Sequence, residues 1–152
     1  MNGPAIVAVE SPQHLQAVRD LFFEYGKSLA FHICFDDFQK EIDALPGIYA
    51  PPRGALFLAL SGAEAVGCTA LKPVADESCE MKRLYVRPAF RGQKFGRSLI
   101  ETAIATARKM GYRNIRLDTL PGMKAARALY DSFGFRETGG DGEKIDLELK
   151  LF

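Results

Sequence analysis

The stretch Leu84-Tyr-Val-Arg-Pro-Ala-Phe-Arg-Gly-Gln-Lys-Phe-Gly-Arg97 is the most informative segment of the chain. An apolar strand end, Leu84 to Val86, is stopped by Arg87-Pro88. A loop of basic residues and glycine follows, Arg91 to Arg97. Behind it Leu99, Ile100, Ala103, Ile104, Ala107 and Met110 recur at helical spacing and form a broad apolar stripe. Gly111 ends that helix in the usual glycine position. A strand–loop–helix junction leaves backbone N–H groups unpaired at the positive end of a helix dipole. Such a junction is a seat for a diphosphate. Gly92 and Gly96 let the backbone approach phosphate oxygens, and Arg91, Lys94 and Arg97 add charge. The Gly-Lys-Ser/Thr ending of a Walker loop is absent, as is Gly-x-Gly-x-x-Gly. A solvated basic helix cap accounts for the same residues without a ligand.

Outward from this junction the elements alternate. Upstream, Cys79 to Val86 reads as a strand, and Ala55 to Leu60 and Ala65 to Leu71 form a hairpin about Ser61-Gly62. Tyr49 to Gly54 is a proline-rich loop. Asp36 caps a short helix carrying Phe38, Ile42 and Leu45, which Pro46-Gly47 ends. Ser11 and Pro12 start a longer helix with Leu15, Val18, Phe22, Tyr25 and Leu29 on one face, after a short strand Ala5 to Val9. Downstream come a strand Ile115 to Thr119, a helix Ala125 to Phe133 ended by Gly134, and a last strand Ile145 to Leu151. The order β-α-α-β-β-β-α-β-α-β predicts an α/β fold, a mixed sheet with helices on both faces.

Composition bounds the function classes. The 152 residues carry a formal net charge of +1, are 47% hydrophobic and 26% charged, and suit one domain over 1–152. Nothing in that balance asks for nucleic acid or a membrane surface. Cys34, Cys68 and Cys79 lack metal-ligand spacing, and His14 and His32 complete no site, so no metal is expected. Met1 to Val9 has no basic flank and no apolar run spans a membrane, so the cytoplasm is the expected location.

Three segments, in order, resemble the GNAT N-acetyltransferase superfamily. Arg91-Gly-Gln-Lys-Phe-Gly96 resembles the Arg/Gln-x-x-Gly-x-Gly/Ala signature whose amides hold the pyrophosphate of acetyl-CoA. Glu80-Met-Lys-Arg-Leu-Tyr-Val86 resembles the family's fourth strand, and Ala126-Arg-Ala-Leu-Tyr-Asp-Ser-Phe-Gly-Phe135 its closing helix. The sequence departs from the family at Lys94, where the loop's first glycine usually stands, and at Met123, where many members have asparagine.

The resemblance implies a central twisted sheet whose fourth and fifth strands splay apart, and acetyl-CoA as co-substrate. Arg91, Gly92, Gln93, Lys94, Gly96 and Arg97 then meet the diphosphate. Leu84 and Val86 offer backbone groups to the pantetheine arm. Lys124 and Arg127 face the nucleotide's 3′-phosphate or are simply exposed. A lysine-like amine, with a pKa of about 10.4, arrives protonated. Glu80 is the candidate base, directly or through water, unless it only pairs with a neighbouring cation. Tyr130 is the candidate acid for the departing thiolate, unless it only packs. Tyr25, Phe31, His32, Phe35, Phe38 and Tyr49 belong to the segment that covers the acceptor in similar proteins, and for most of them core packing is the better reading. Acceptor choice is placed in Leu29 to Pro52, where no motif is legible.

The expected activity is direct acetyl transfer to a primary amine of a small metabolite. Acetylation of a protein lysine or N-terminus, and a non-catalytic acyl-CoA sensor, are the alternatives. A homodimer is left open.

Overall fold

Local chemistry sets the element boundaries. The computed structural model describes residues 4–29 and 35–152, with side chains from residue 37 onward in the second span. After β1 (Ala5–Ala8), α1 (Pro12–Ser28) starts at Ser11, whose hydroxyl accepts a hydrogen bond from the His14 amide at 3.1 Å. The second helix, α2 (Phe35–Ala44), gives way to a 3₁₀ turn at Gly47–Tyr49. Strands β2 (Ala55–Ser61), β3 (Glu64–Pro73) and β4 (Ser78–Val86) form an antiparallel meander. A 3₁₀ turn at Pro88–Phe90 leads to α3 (Phe95–Lys109). Strand β5 (Asn114–Thr119), helix α4 (Lys124–Ser132) and the hairpin β6 (Arg136–Gly140) and β7 (Ile145–Lys150) complete the order.

All seven strands lie in one mixed sheet, ordered β1-β2-β3-β4-β5-β7-β6. The predicted order lacked β6. All five of its residues are exposed and two are glycine, so it has no apolar alternation to read. It is held by backbone pairing to β7 at the sheet edge.

Each face of the sheet has its own core. Leu99, Ile100, Ala103 and Ala107 of α3 lie against Phe57, Cys79, Met81 and Ile115, and Tyr130 of α4 belongs to the same cluster. On the opposite face Val18, Leu21 and Phe22 of α1 and Phe38 and Ile42 of α2 cover Leu56, Leu58, Cys68 and Tyr85. Truncating a fully buried leucine such as Leu99 to alanine costs about 2–5 kcal/mol in such settings. Among the described residues, no helix is long and apolar enough to cross a membrane.

What positions the site is the behaviour of β4. It pairs in parallel with β5 only at Ser78, Cys79 and Glu80. From Met81 onward β4 has no partner on its β5 side, and the two strands fork. On the other side its register with β3 slips between Cys68 and Ala70. Arg83 takes up the extra residue with φ +63°, a left-handed backbone that is uncommon away from glycine. The bulge is supported from β3: the Thr69 hydroxyl donates to the Lys82 carbonyl at 3.1 Å, and the Cys68 thiol to the Arg83 carbonyl at 3.4 Å.

Candidate active site

The fork opens into a cavity of about 1140 Å³. Its floor is β4, from Met81 to Leu84. One wall is the end of β5 and the start of α4: Asp118, Thr119, Met123, Ala126 and Tyr130. The facing wall is α1 and α2, with Tyr25, Leu29, Phe38 and Glu41, and the β6–β7 turn, from Asp141 to Lys144, lines a further side.

Adjacent to the fork lies the basic–glycine loop. The Arg91 amide reaches the Pro88 carbonyl, but among the described residues Gly92, Gln93 and Lys94 have no backbone acceptor for their amides. The first turn of α3 adds further donors. Gly92 has φ +81°, and Lys94 caps the helix in the left-handed region at φ +70°. The family's glycine at this position thus has a backbone reason, and lysine adopts the same conformation at a steric cost. A side chain at Gly96 would point at Leu129 of α4 and Val86 of β4, at 3.5 and 3.9 Å from its first carbon. Convergent unpaired amides at a helix N-terminus fit a diphosphate.

The expected backbone contacts are available to different degrees. Leu84 lies on the forked edge, on the cavity floor. The Val86 carbonyl accepts a hydrogen bond from Arg91 Nε at 2.9 Å. Arg97 is exposed, its guanidinium over Phe133 at 5.1 Å and bonded to Ser132. Arg127 pairs with Glu137 at 3.0 Å, while Lys124 is exposed with no ion pair among the described residues.

The two predicted catalytic side chains stand differently. Tyr130 is 6% exposed and lines the cavity. Its hydroxyl has no hydrogen-bond partner among the described residues, where no buried polar side-chain atom is left unsatisfied; it therefore opens onto the cavity. Burial above all, with Tyr25 and Asp118 nearby, raises its pKa well above that of an ordinary phenol. Glu80 sits at the last paired position before the fork. It is ion-paired with Lys72 at 3.6 Å and is not part of the cavity wall.

Residues that sequence reading did not single out also line the cavity. Glu41 Oε2 and Oε1 take Arg83 Nε and Nη2, each at 2.9 Å. The Tyr49 hydroxyl donates to the same carboxylate at 2.9 Å. Burial would raise the Glu41 pKa, but the Arg83 hydrogen bond and charge outweigh it and hold the carboxyl below its usual range. Asp118 Oδ2 lies 3.5 Å from Lys144 Nζ across the cavity mouth. No spacing in the sequence announces either pair, because each joins elements far apart along the chain. Of the aromatics in the predicted acceptor segment, Tyr25 and Phe38 line the cavity and Tyr49 is buried in the second core. Phe31, His32 and the Phe35 side chain lie outside the described residues, as does Cys34. Cys68 and Cys79 are buried thiols, burial pushing Cys79 up to about 12. Among the described residues no group of three or more potential ligands could hold a metal ion.

The model of the acetyltransferase (GNAT) family matches residues 15–135. The chain belongs to that family. This GNAT enzyme is 38% identical to an uncharacterised N-acetyltransferase of Schizosaccharomyces pombe over 136 residues, covering 88% of this chain and 83% of the relative. It is 29% identical to an uncharacterised N-acetyltransferase of Escherichia coli, covering 93% and 87%. A crystal structure of an acetyltransferase from Streptococcus agalactiae matches with a TM-score of 0.82 at 25% identity, over 99% of this chain and 100% of the other. The PaiA N-acetyltransferase of Thermoplasma acidophilum, solved with coenzyme A, shares the fold, with a TM-score of 0.77 at 19% identity over 97% and 99%. The GNAT chain is an acetyl-transferring enzyme, and its forked β4 and β5 agree with the architecture the sequence implied.

Proposed function

We propose that this enzyme takes acetyl-CoA as co-substrate and passes the acetyl group directly to a primary amine of a small metabolite. One observation carries the reading: the fork of β4 and β5 joins a row of unpaired amides, suited to a diphosphate, to a cavity bearing the Tyr130 hydroxyl. The Thermoplasma relative's coenzyme A supports the choice of donor. The cations Lys82, Arg83 and Lys144 stand among five carboxylates, Asp37, Glu41, Asp118, Asp141 and Glu143, so the cavity is not the uniformly acidic groove that suits a strongly basic protein segment, which favours a small acceptor.

Acetyl-CoA supplies an activated thioester; the chain supplies position and proton transfer. The amides of Gly92 to Lys94 and the α3 N-terminus hold the diphosphate. The Leu84 edge of β4 aligns the pantetheine arm as an added strand. Arg91 releases the Val86 carbonyl in favour of a phosphate oxygen. Glu80 accepts the ammonium proton through water, since it stands just short of the cavity. Tyr130 keeps its own proton across the working pH range and donates it toward sulfur as negative charge grows there.

The test is thiol release from acetyl-CoA against a panel of primary amines, with product masses measured. Amine-dependent release with an N-acetyl product is expected. Binding of acetyl-CoA without transfer to any amine would contradict the reading and favour a sensor.

A further inference from the structure

The bulge in β4 does more than open the fork. It sets two consecutive cations, Lys82 and Arg83, against one cavity. Both are half-buried, whereas the acidic residues of the rim, Asp37 on α2 and Asp118, Asp141 and Glu143 opposite, are exposed. The hydrogen-bonding capacity of this wall is unevenly filled. Glu41 is committed to two Arg83 donors and to Tyr49, and Asp118 to Lys144. Arg83 spends Nε and Nη2 on Glu41, and its Nη1 has no acceptor among the described residues. Nη1 belongs to a partly exposed side chain, and Arg83 lines the cavity. Lys82 has no ion-pair partner among the described residues.

The deep part of the acceptor wall therefore presents donors that no described residue meets. A planar guanidinium fixed by Glu41, with its ring-side face 4.6 Å over Phe38, is already oriented and loses little freedom on binding an anion. An adjacent ammonium adds charge from a longer, adjustable stem. We propose that Arg83 Nη1 and Lys82 together bind a carboxylate carried by the acceptor, so that the substrate is an amine that also bears a carboxylate, such as an amino acid. The proposal rests on the amine-transfer reading and names the acceptor class for that same cavity. Tyr25 and Phe38, on the same wall, offer apolar surface to the rest of the acceptor.

Matched acceptors test it. Thiol release would be followed for an amino acid, its carboxamide and its decarboxylated amine, with kcat/KM expressed per neutral amine. The acid is expected to exceed both others by about 10- to 100-fold, the worth of a charge-assisted hydrogen bond. In Lys82→Met that preference should fall by about 10-fold or more, and in Lys82→Arg it should persist, with thermal stability followed for each. Equal kcat/KM for acid and carboxamide in the native enzyme would overturn the proposal while leaving amine acetylation intact. So would a preference that Lys82→Met leaves unchanged. Thiol release with none of the three, nor with any amine of a wider panel, would remove the amine-transfer reading and this inference together.

Discussion

Arg83 and Glu41 meet side-on, Nε to Oε2 and Nη2 to Oε1, each at 2.9 Å, and so tie the bulge of β4 to helix α2. The two side chains are 16% and 17% exposed. Arg83 also carries the left-handed backbone of the bulge, so one residue ties the strand irregularity to the helix that walls the cavity.

This pair should be visible in stability. Breaking a fully buried pair costs about 3–5 kcal/mol, and partial exposure lowers the expectation for Glu41→Gln to about 2 kcal/mol at pH 7. Glu41 titrates below its ordinary value of 4.5 in the folded chain. Its contribution is therefore present above that pH and is lost as the pH falls through the lower, folded value. Thermal melts of native enzyme and Glu41→Gln should differ most at neutral pH and converge in acid. An equal difference at both pH values would show that the pair's charge does not stabilise the fold.

The proton-accepting role proposed for Glu80 has a distinct signature. Glu80→Gln should slow turnover most near neutral pH and less at high pH, where neutral amine is abundant. The readout is kcat against pH for both enzymes. A uniform loss would instead indicate positioning through the Lys72 pair, and no loss would remove Glu80 from the mechanism.

Tyr130→Phe separates chemistry from packing, because it deletes a hydroxyl and keeps the ring that packs on Phe135 at 5.8 Å. The hydroxyl has no partner among the described residues, so folding should lose little. Turnover should fall about 10²- to 10⁴-fold, while acetyl-CoA affinity changes far less. Near-native kcat would leave Tyr130 as a core aromatic.

The sequence made most of the sheet and both cores legible, because Leu99 to Met110 and Leu15 to Leu29 carry clear helical periods and the meander strands are apolar. Strand β6 escaped because Arg136 to Gly140 is exposed throughout and has no apolar alternation, its place at the sheet edge coming from pairing with β7. The loop assigned to the diphosphate stands out in the sequence because glycine and basic residues mark it locally, although nothing local shows that Lys94 would adopt φ +70°. The α2 wall of the cavity was not legible. Glu41 and Arg83 stand 42 positions apart, and only the bulge and the α2 packing bring them together. Glu80 illustrates the complementary limit: strand pattern placed it on β4, but only the register shows it one residue short of the fork.

The most direct test of the account is a calorimetric titration of native enzyme and Gly96→Glu with acetyl-CoA. A side chain at Gly96 starts in ordinary contact with Leu129 and Val86, so the fold has room for its first carbon. The glutamate's charge would then lie at the α3 N-terminus, among the amides assigned to the diphosphate. Native enzyme is expected to bind, and folded Gly96→Glu, checked by its thermal melt, to show no measurable binding. Undiminished affinity in the folded variant would contradict the placement of acetyl-CoA in the fork of β4 and β5.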